Sequence, residues 1–210
     1  KRLGYNFKNQ NNELGGYAIL NNKKNSLIMD IGSSPDTKLS SNYQAGALSF
    51  EIISNGKKLI SNCGYFQMVN HQLNEVSKSS AVHSTLVVDD KSSCSFNKLR
   101  GKKSRINHGL KILKKKIVFE KNYWKINASH DGYLKLHGIV HDREIEFYPE
   151  QLKFIGHDKI IFNKGIKNLK FEIRFHLEPN VKVMKTQDGK SILIDLDGEG
   201  WKFSSDNSMM

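Results

Sequence analysis

The sequence predicts an all-β protein, a two-layer antiparallel β-sandwich of the supersandwich type with little helix. Three observations carry this. Apolar and polar residues alternate with period two through most of the chain. Turn pairs such as Asn55-Gly56, Asp131-Gly132 and Asp188-Gly189 punctuate the alternation. Helical periodicity is nearly absent.

The elements follow in order. The stretch SLIMDIG reads as a first strand. From Gln44 to Ile52, Leu48, Phe50 and Ile52 share one face, and Ala45, Ala47, Ser49 and Glu51 share the other. Asn55-Gly56 turns this strand back through Lys57 to Ile60, because both residues tolerate positive φ. Tyr65 to Lys78 is the one modest helical candidate. In STLVVDDK and the residues before it, Val82, Leu86 and Val88 point one way, and His83, Thr85 and Val87 the other. KIVFEK and WKINAS pair across Asn122-Tyr123. Leu134, Leu136 and Val140 then occupy one face of a strand, with Lys135, His137, Ile139, His141 and Arg143 on the opposite face. Ile145 and Phe147 are in phase with His137, which predicts a bulge or a switch of sheet near Asp142. VKVMKTQDGKSILIDLDG closes the series as a hairpin about Asp188-Gly189.

The chain has 210 residues, 38% of them hydrophobic, which is enough for one core. No Ser-, Gly- or Pro-rich block separates it into parts, so one domain is expected over residues 1–210. It begins Lys-Arg rather than Met, which reads as a piece of something longer. No uncharged run is long enough to span a bilayer, so no membrane insertion is expected. Cys63 and Cys94 are too few for a disulfide framework and form no CxxC pair; one bridge between them stays open.

The formal net charge is +12, which suits an acidic partner; a Lys, Asn and Ile bias in composition would also produce it. The densest charge lies between Leu99 and Lys121. Lys102, Lys103, Arg105 and Lys114 to Lys116 could follow a polyanion, or serve as Lys placed along an edge strand against aggregation. No RNP-type aromatic block, zinc-finger spacing or helix-turn-helix accompanies them, so no nucleic-acid partner is expected. Phosphate-cradling Gly-rich loops and a GxSxG elbow are also missing.

His130, His137 and His141 fall within SHDGYLKLHGIVHDRE. Read as a strand, His137 and His141 lie roughly 13 Å apart, too far to share one small cation, and His130 stands before a turn. They do not form a metal cluster. A lone strand histidine such as His83 or His176 is more often structural than functional.

Taken together, DIGSSP, AGALSFEIISNGKKLISNCG, SSAVHSTLVVDD, ASHDGYLKLHGIVHDREIEF, FEIRFHLEPNVKV and GEGWKF resemble the C-terminal β-domain of heparinase II/III-like polysaccharide lyases, from about residue 14 to 203. The resemblance implies a sandwich that packs against an N-terminal toroid of helices, here absent, with an acidic polysaccharide in the cleft between. The implied reaction is β-elimination at a uronic acid, a carbon–oxygen lyase activity. It requires neutralisation of the carboxylate, a base for the C5 proton and an acid for the leaving oxygen. The base is expected on the absent helices, so this chain carries no catalytic residue of its own and is inactive alone.

The family's own contribution from this domain is a His-x-His pair before the AGALSFE-like strand, one His assisting in the cleft and the other, in some members, binding structural zinc. Asn42 and Gln44 stand there in this chain. Asn62 replaces the zinc-binding Asp, and only His83 survives. Amides are poor zinc ligands, so no zinc or other cofactor is expected. His83 and His130, which keep their motifs in the resemblance, are implied to line the cleft, with Asn42 and Gln44 as further substrate-binding positions. The lost pair leaves an alternative: a non-catalytic carbohydrate-binding or cell-envelope protein that keeps the sandwich. The resemblance places the protein in the periplasm or outside the cell.

Overall fold

The computed structural model describes residues 12–66, 72–97, 103–162 and 168–206. Its strands, in chain order, begin with β1 (Glu13–Leu14), β2 (Tyr17–Asn21), β3 (Asn25–Asp30), β4 (Phe50–Ser54) and β5 (Lys57–Ser61). These form one antiparallel meander. Asn55 and Gly56 both have positive φ (46° and 78°), the two left-handed residues that a two-residue hairpin turn requires. Helix α1 (Leu73–Val76) follows, then β6 (Leu86–Val88), β7 (Ser95–Asn97), β8 (Arg105–His108), β9 (Ile112–Phe119) and β10 (Trp124–His130). Helix α2 (Leu134–His137) leads into β11 (Ile139–Tyr148) and β12 (Lys153–Phe162). The chain continues with β13 (Phe171–Ile173), β14 (His176–Leu177), β15 (Lys182–Lys185), β16 (Ser191–Leu196) and β17 (Glu199–Ser204).

Two layers hold the main core. One is the six-stranded sheet β1-β2-β3-β4-β5-β14, and the other the four-stranded sheet β12-β11-β10-β9. Leu20, Leu27, Met29 and Ile52 from the first pack with Ile126, Ala128, Ile145 and Phe147 from the second. Ile194 and Leu196 from the three-stranded sheet β15-β16-β17 close the same core. β13 pairs with β6, and β7 with β8, as small accessory sheets. The expected all-β sandwich with little helix is the observed fold, and the hairpins at Asn55-Gly56, Asn122-Tyr123 and Asp188-Gly189 all form.

Several local expectations are corrected. The Gln44–Ile52 strand begins only at Phe50: Leu48 has φ 58°, which breaks the extended run, and Ala45, Ala47 and Leu48 are all buried. Residues 80–82 form a 3-10 turn rather than strand, and β6 is buried on both faces. Of the Tyr65–Lys78 candidate, only Leu73–Val76 is helical; residues 67–71 lie outside the described residues.

The largest correction concerns residues 134–148. Leu134–His137 is one helical turn, closed by hydrogen bonds from His137 N to Tyr133 O (2.9 Å) and Gly138 N to Leu134 O (2.8 Å). Gly138 ends it at φ 63°, the left-handed cap that favours glycine. The phase change read as a bulge near Asp142 is therefore the helix-to-strand transition. β11 keeps unbroken register with β12 from Ile139 to Tyr148 and with β10 from His141 to Phe147. Its inward face is Ile139, His141, Arg143, Ile145 and Phe147, all at most 3% exposed.

Candidate functional site

Three chain segments meet at one exposed cluster. Lys103 Nζ donates to Asn42 Oδ1 (2.8 Å) and to the Tyr65 hydroxyl (3.0 Å), and Tyr65 OH lies 3.3 Å from the same Asn42 oxygen. The Lys103 ammonium also stands over the Tyr65 ring, 5.6 Å from its centroid. Among the described residues no carboxylate neutralises Lys103.

The cluster is held from beneath. Ser40 Oγ accepts from Ile106 N (2.9 Å), which ties the segment carrying Asn42 to β8. Two adjacent residues of α1 fix the other two limbs. Asn74 Oδ1 accepts from Phe66 N (2.8 Å), next to Tyr65, and the Glu75 carboxylate accepts from Ser104 Oγ, next to Lys103. The buried Lys78 ammonium completes this brace, with Glu75 Oε1 at 2.9 Å, Ser104 Oγ at 2.7 Å and Ser104 O at 2.9 Å. Burial pushes the Glu75 carboxyl up, but the hydrogen bonds from Ser104 and Lys78 outweigh it and hold it below its ordinary value.

The other residues singled out from the sequence sit differently. Gln44 Nε2 donates to Gly64 O (2.8 Å), beside the cluster. His83 is 3% exposed and His130 1%, so neither ring faces an open cleft in this structure. His83 Nε2–H donates to Ser77 O (2.9 Å), and burial pushes its pKa down against that carbonyl. His130 closes β10 on its inward face, where its Nδ1 accepts from Gly132 N (3.0 Å) and its ring meets His141 edge-on at 5.3 Å. Burial, then the neighbouring His141 and Arg143, push it well below the ordinary histidine value. His176 is also structural, with Nε2–H donating to Ala81 O (3.1 Å). Cys63 is exposed and Cys94 buried, and both are free thiols.

The residues aligned with a zinc site do not fit one. Gln44 and His83 spend the atoms named above on carbonyls, and Asn62 Oδ1 accepts from Ser84 N (2.8 Å). No group of three His, Cys, Asp or Glu among the described residues is arranged to hold a metal ion.

The basic stretch also divides. β9 is an edge strand, and its Lys114 and Lys115 pair with Asp142 (3.7 Å) and Glu13 (2.5 Å), which fits edge protection. Lys102 lies outside the described residues. Of the described residues of the stretch, Lys103 reaches the cluster. Sequence reasoning placed Lys103 within the basic stretch but missed Tyr65 as a contact residue, because no motif marks it.

A second polar assembly lies deep in the sandwich. Arg143, 1% exposed, forks onto Asp158 through Nε (2.7 Å) and Nη2 (3.1 Å). Its Nη1 donates to Leu48 O and Ser84 O, both at 2.8 Å. His141 Nε2–H donates to Asp158 Oδ1 (2.6 Å). Burial raises the Asp158 carboxyl, yet Arg143 and His141 hold it far below the usual carboxylate range. This network clamps β11 and β12 to the segments at Leu48 and Ser84. Of its members only Asp158, on the edge strand β12, is partly exposed.

Fold and sequence agree on the class. Residues 10–209 match the model of the family described as heparinase II/III-like, C-terminal, and the chain belongs to that family. The fold is similar to that of the heparan sulfate lyase HepC from Pedobacter heparinus, with a TM-score of 0.68 at 15% identity over 93% of this chain and 28% of that one. A mutant of the same lyase matches with a TM-score of 0.56 at 14% identity, over 92% of this chain and 33% of that one. A curated relative, FtsZ-localized protein C of Caulobacter vibrioides, is 27% identical over 179 residues, 80% of this chain and 31% of the relative. The chain thus spans about a third of the length of the proteins it matches.

Proposed function

We propose that this domain forms one wall of an acidic-polysaccharide site in a longer protein. The observation that carries the reading is the convergence of Lys103, Tyr65 and Asn42 at the surface, with no carboxylate among the described residues to neutralise the ammonium. An ammonium and an amide suit a uronate carboxylate or a sulfate, and a phenol suits a sugar hydroxyl. Gln44 flanks the cluster; His83 and His130, being buried, support the wall from within and would reach the glycan only after local rearrangement. The formal charge of +12 adds long-range attraction.

In the parent protein the reaction is β-elimination at uronic acids. Lys103 and Asn42 lower the cost of charge that develops on the substrate carboxylate as the C5 proton leaves. The base and the acid come from the N-terminal helical domain of the same parent, which is the protein partner of this wall. The chain alone binds without cleaving and holds no zinc. The parent works in the periplasm or outside the cell, on a glycan rather than a nucleic acid and without membrane insertion. Among the described residues no helix is long and apolar enough to cross a membrane.

A second reading has its own support. Amides at Asn42 and Gln44, where the resemblance has a histidine pair, favour a non-catalytic carbohydrate-binding or cell-envelope protein that has lost the lyase chemistry, and one relative is named for localisation with FtsZ rather than for a lyase activity. The two readings separate when the isolated chain and the longer parent are each incubated with heparan sulfate, heparin and alginate and followed by the absorbance of the unsaturated product. Product from the parent and none from the chain is expected. Product from the chain alone would overturn the division of labour, and an inactive parent across the panel would leave the second reading. Elemental analysis of the same chain should find no stoichiometric zinc; one tightly held zinc per chain would contradict the assignment of those amides.

A further inference from the structure

A pocket of about 380 Å³ lies at the far end of β8 from Lys103, between the β7–β8 hairpin and α2. Its wall includes Asn107, His108, Asp131, Leu134, Lys135 and Leu136. We propose that it is a second saccharide subsite, one that takes a sugar unit bearing an anionic group on the same acidic glycan that meets Lys103. The inference rests on that reading of the Lys103 cluster and extends it to a chain of several sugars.

The chemistry of the wall fits a charged pyranose. Leu134 and Leu136 offer apolar surface for the C–H face of a ring, and Leu136 is 58% exposed with nothing described to cover it. The Asn107 amide and the Asp131 carboxylate provide donors and acceptors for ring hydroxyls. Lys135 supplies the cation. Its Nζ touches both ring nitrogens of His108 (3.4 Å to Nδ1, 3.2 Å to Nε2) and makes no ion pair among the described residues. Asp131, the one carboxylate in the wall, already accepts from Lys111 N through Oδ1 (2.6 Å). A carboxylate or sulfate on the sugar would give Lys135 the counter-charge that the wall does not.

The pocket is built rather than incidental, and the HDGY motif builds it. Buried His130 holds Gly132 N through Nδ1. A Cβ at Gly132 would stand 2.5 Å from Ser93 O, so only glycine lets this turn lie against the segment that carries Ser93. Buried Tyr133 anchors through its hydroxyl to Leu86 O (2.6 Å), and Asp131 O accepts from Leu134 N (2.8 Å) to start α2. The motif residue expected from the sequence to face the ligand is thus a prop, and Asp131 beside it reaches the wall.

The two sites flank one short strand: Lys103 stands two residues before β8, and Asn107 and His108 end it. Arg105 and Asn107 face outward along β8 while Ile106 is buried, and the half-buried Lys103 precedes them. His108 is five positions after Lys103, at most about 17 Å of extended chain. A disaccharide cannot reach both ends, whereas a longer acidic glycan lying along β8 does.

The test uses the full chain and a heparin-derived octasaccharide, titrated at about 0.1 M and about 0.5 M salt. Leu136→Ser and Lys103→Ser change exposed or half-exposed side chains at opposite ends and leave the core intact. Each is expected to weaken binding about fivefold, and the double variant about 25-fold, because the ends are too far apart to couple. The Leu136→Ser loss should persist at the higher salt, since it removes apolar contact, while the Lys103→Ser loss should shrink. A weakened Lys103→Ser with unchanged Leu136→Ser would overturn the pocket and leave the first site standing. The reverse would support the pocket and overturn the first site, and no change in either variant would overturn both.

Discussion

Arg143 shows how one residue can hold a sandwich together and yet mislead a reading of the sequence. Its alternation partners His137 and His141 are polar, so the strand face that carries it reads as solvent-facing, whereas it is the buried face. The signal is hidden because the compensating charge, Asp158, arrives from β12, fifteen residues later. Four hydrogen bonds satisfy the guanidinium, and one of them caps the carbonyl of Leu48, whose φ of 58° is costly for a leucine. Arg143→Met should therefore lower stability by about 3–5 kcal/mol, because it strands a buried carboxylate. Urea unfolding would measure it, and Arg143→Met combined with Asp158→Leu should recover part of the loss. A single variant within about 0.5 kcal/mol of wild type would mean that the clamp contributes little beyond an ordinary surface change.

At the scale of elements, alternation and turn chemistry were legible wherever one face of a strand is buried and the other wet. β3 and β4 follow from such alternation, and the β4–β5, β9–β10 and β15–β16 hairpins from their turn residues, although β15 itself is exposed throughout. α2 was not legible, because Leu134 and Leu136 fit a two-residue period as well as a four-residue helix does, and only Gly138 marks the difference. β6 buries both faces, so the side opposite Leu86 and Val88, to which the alternation assigns His83, is buried as well, and His130 is buried at the end of β10.

That burial has a consequence for pH. Desolvation pushes His83, His130 and His141 below the ordinary value of 6.5. Opposing it, Ser77 O and Glu51 face His83, and Asp158 and Asp142 face His141, while His176 adds to the depression at His83 and Arg143 adds to it at His130 and His141. The unfolded chain therefore binds more protons than the folded one once pH falls below about 6.5, so stability should fall with pH from there. Asp30, which burial raises to about 6, acts in the opposite sense between its unfolded value of 3.8 and about 6, one group against three. Urea midpoints should be level from pH 8 to 7 and decline between about 6.5 and 4.5. A midpoint unchanged across that interval would show that these rings take up protons without opening the fold.

For the whole molecule, the class of fold was legible because nearly every segment votes for strands, and the family because its motifs recur in order across the chain. The site was only partly legible. Asn42, Gln44 and Lys103 could be named from the sequence, but Tyr65 comes to them through a brace at Asn74 and Glu75 that no motif records. A surface assembled from three distant segments leaves no local pattern to read.

The central claim is that this surface meets a polyanion through Lys103, and heparin affinity as a function of salt tests it most directly. Wild-type affinity should fall linearly on a log–log plot as salt rises, and Lys103→Ser should both weaken binding at low salt and reduce the slope by about one released counterion. Affinity indifferent to salt, or a Lys103→Ser variant with the wild-type slope and strength, would contradict the account.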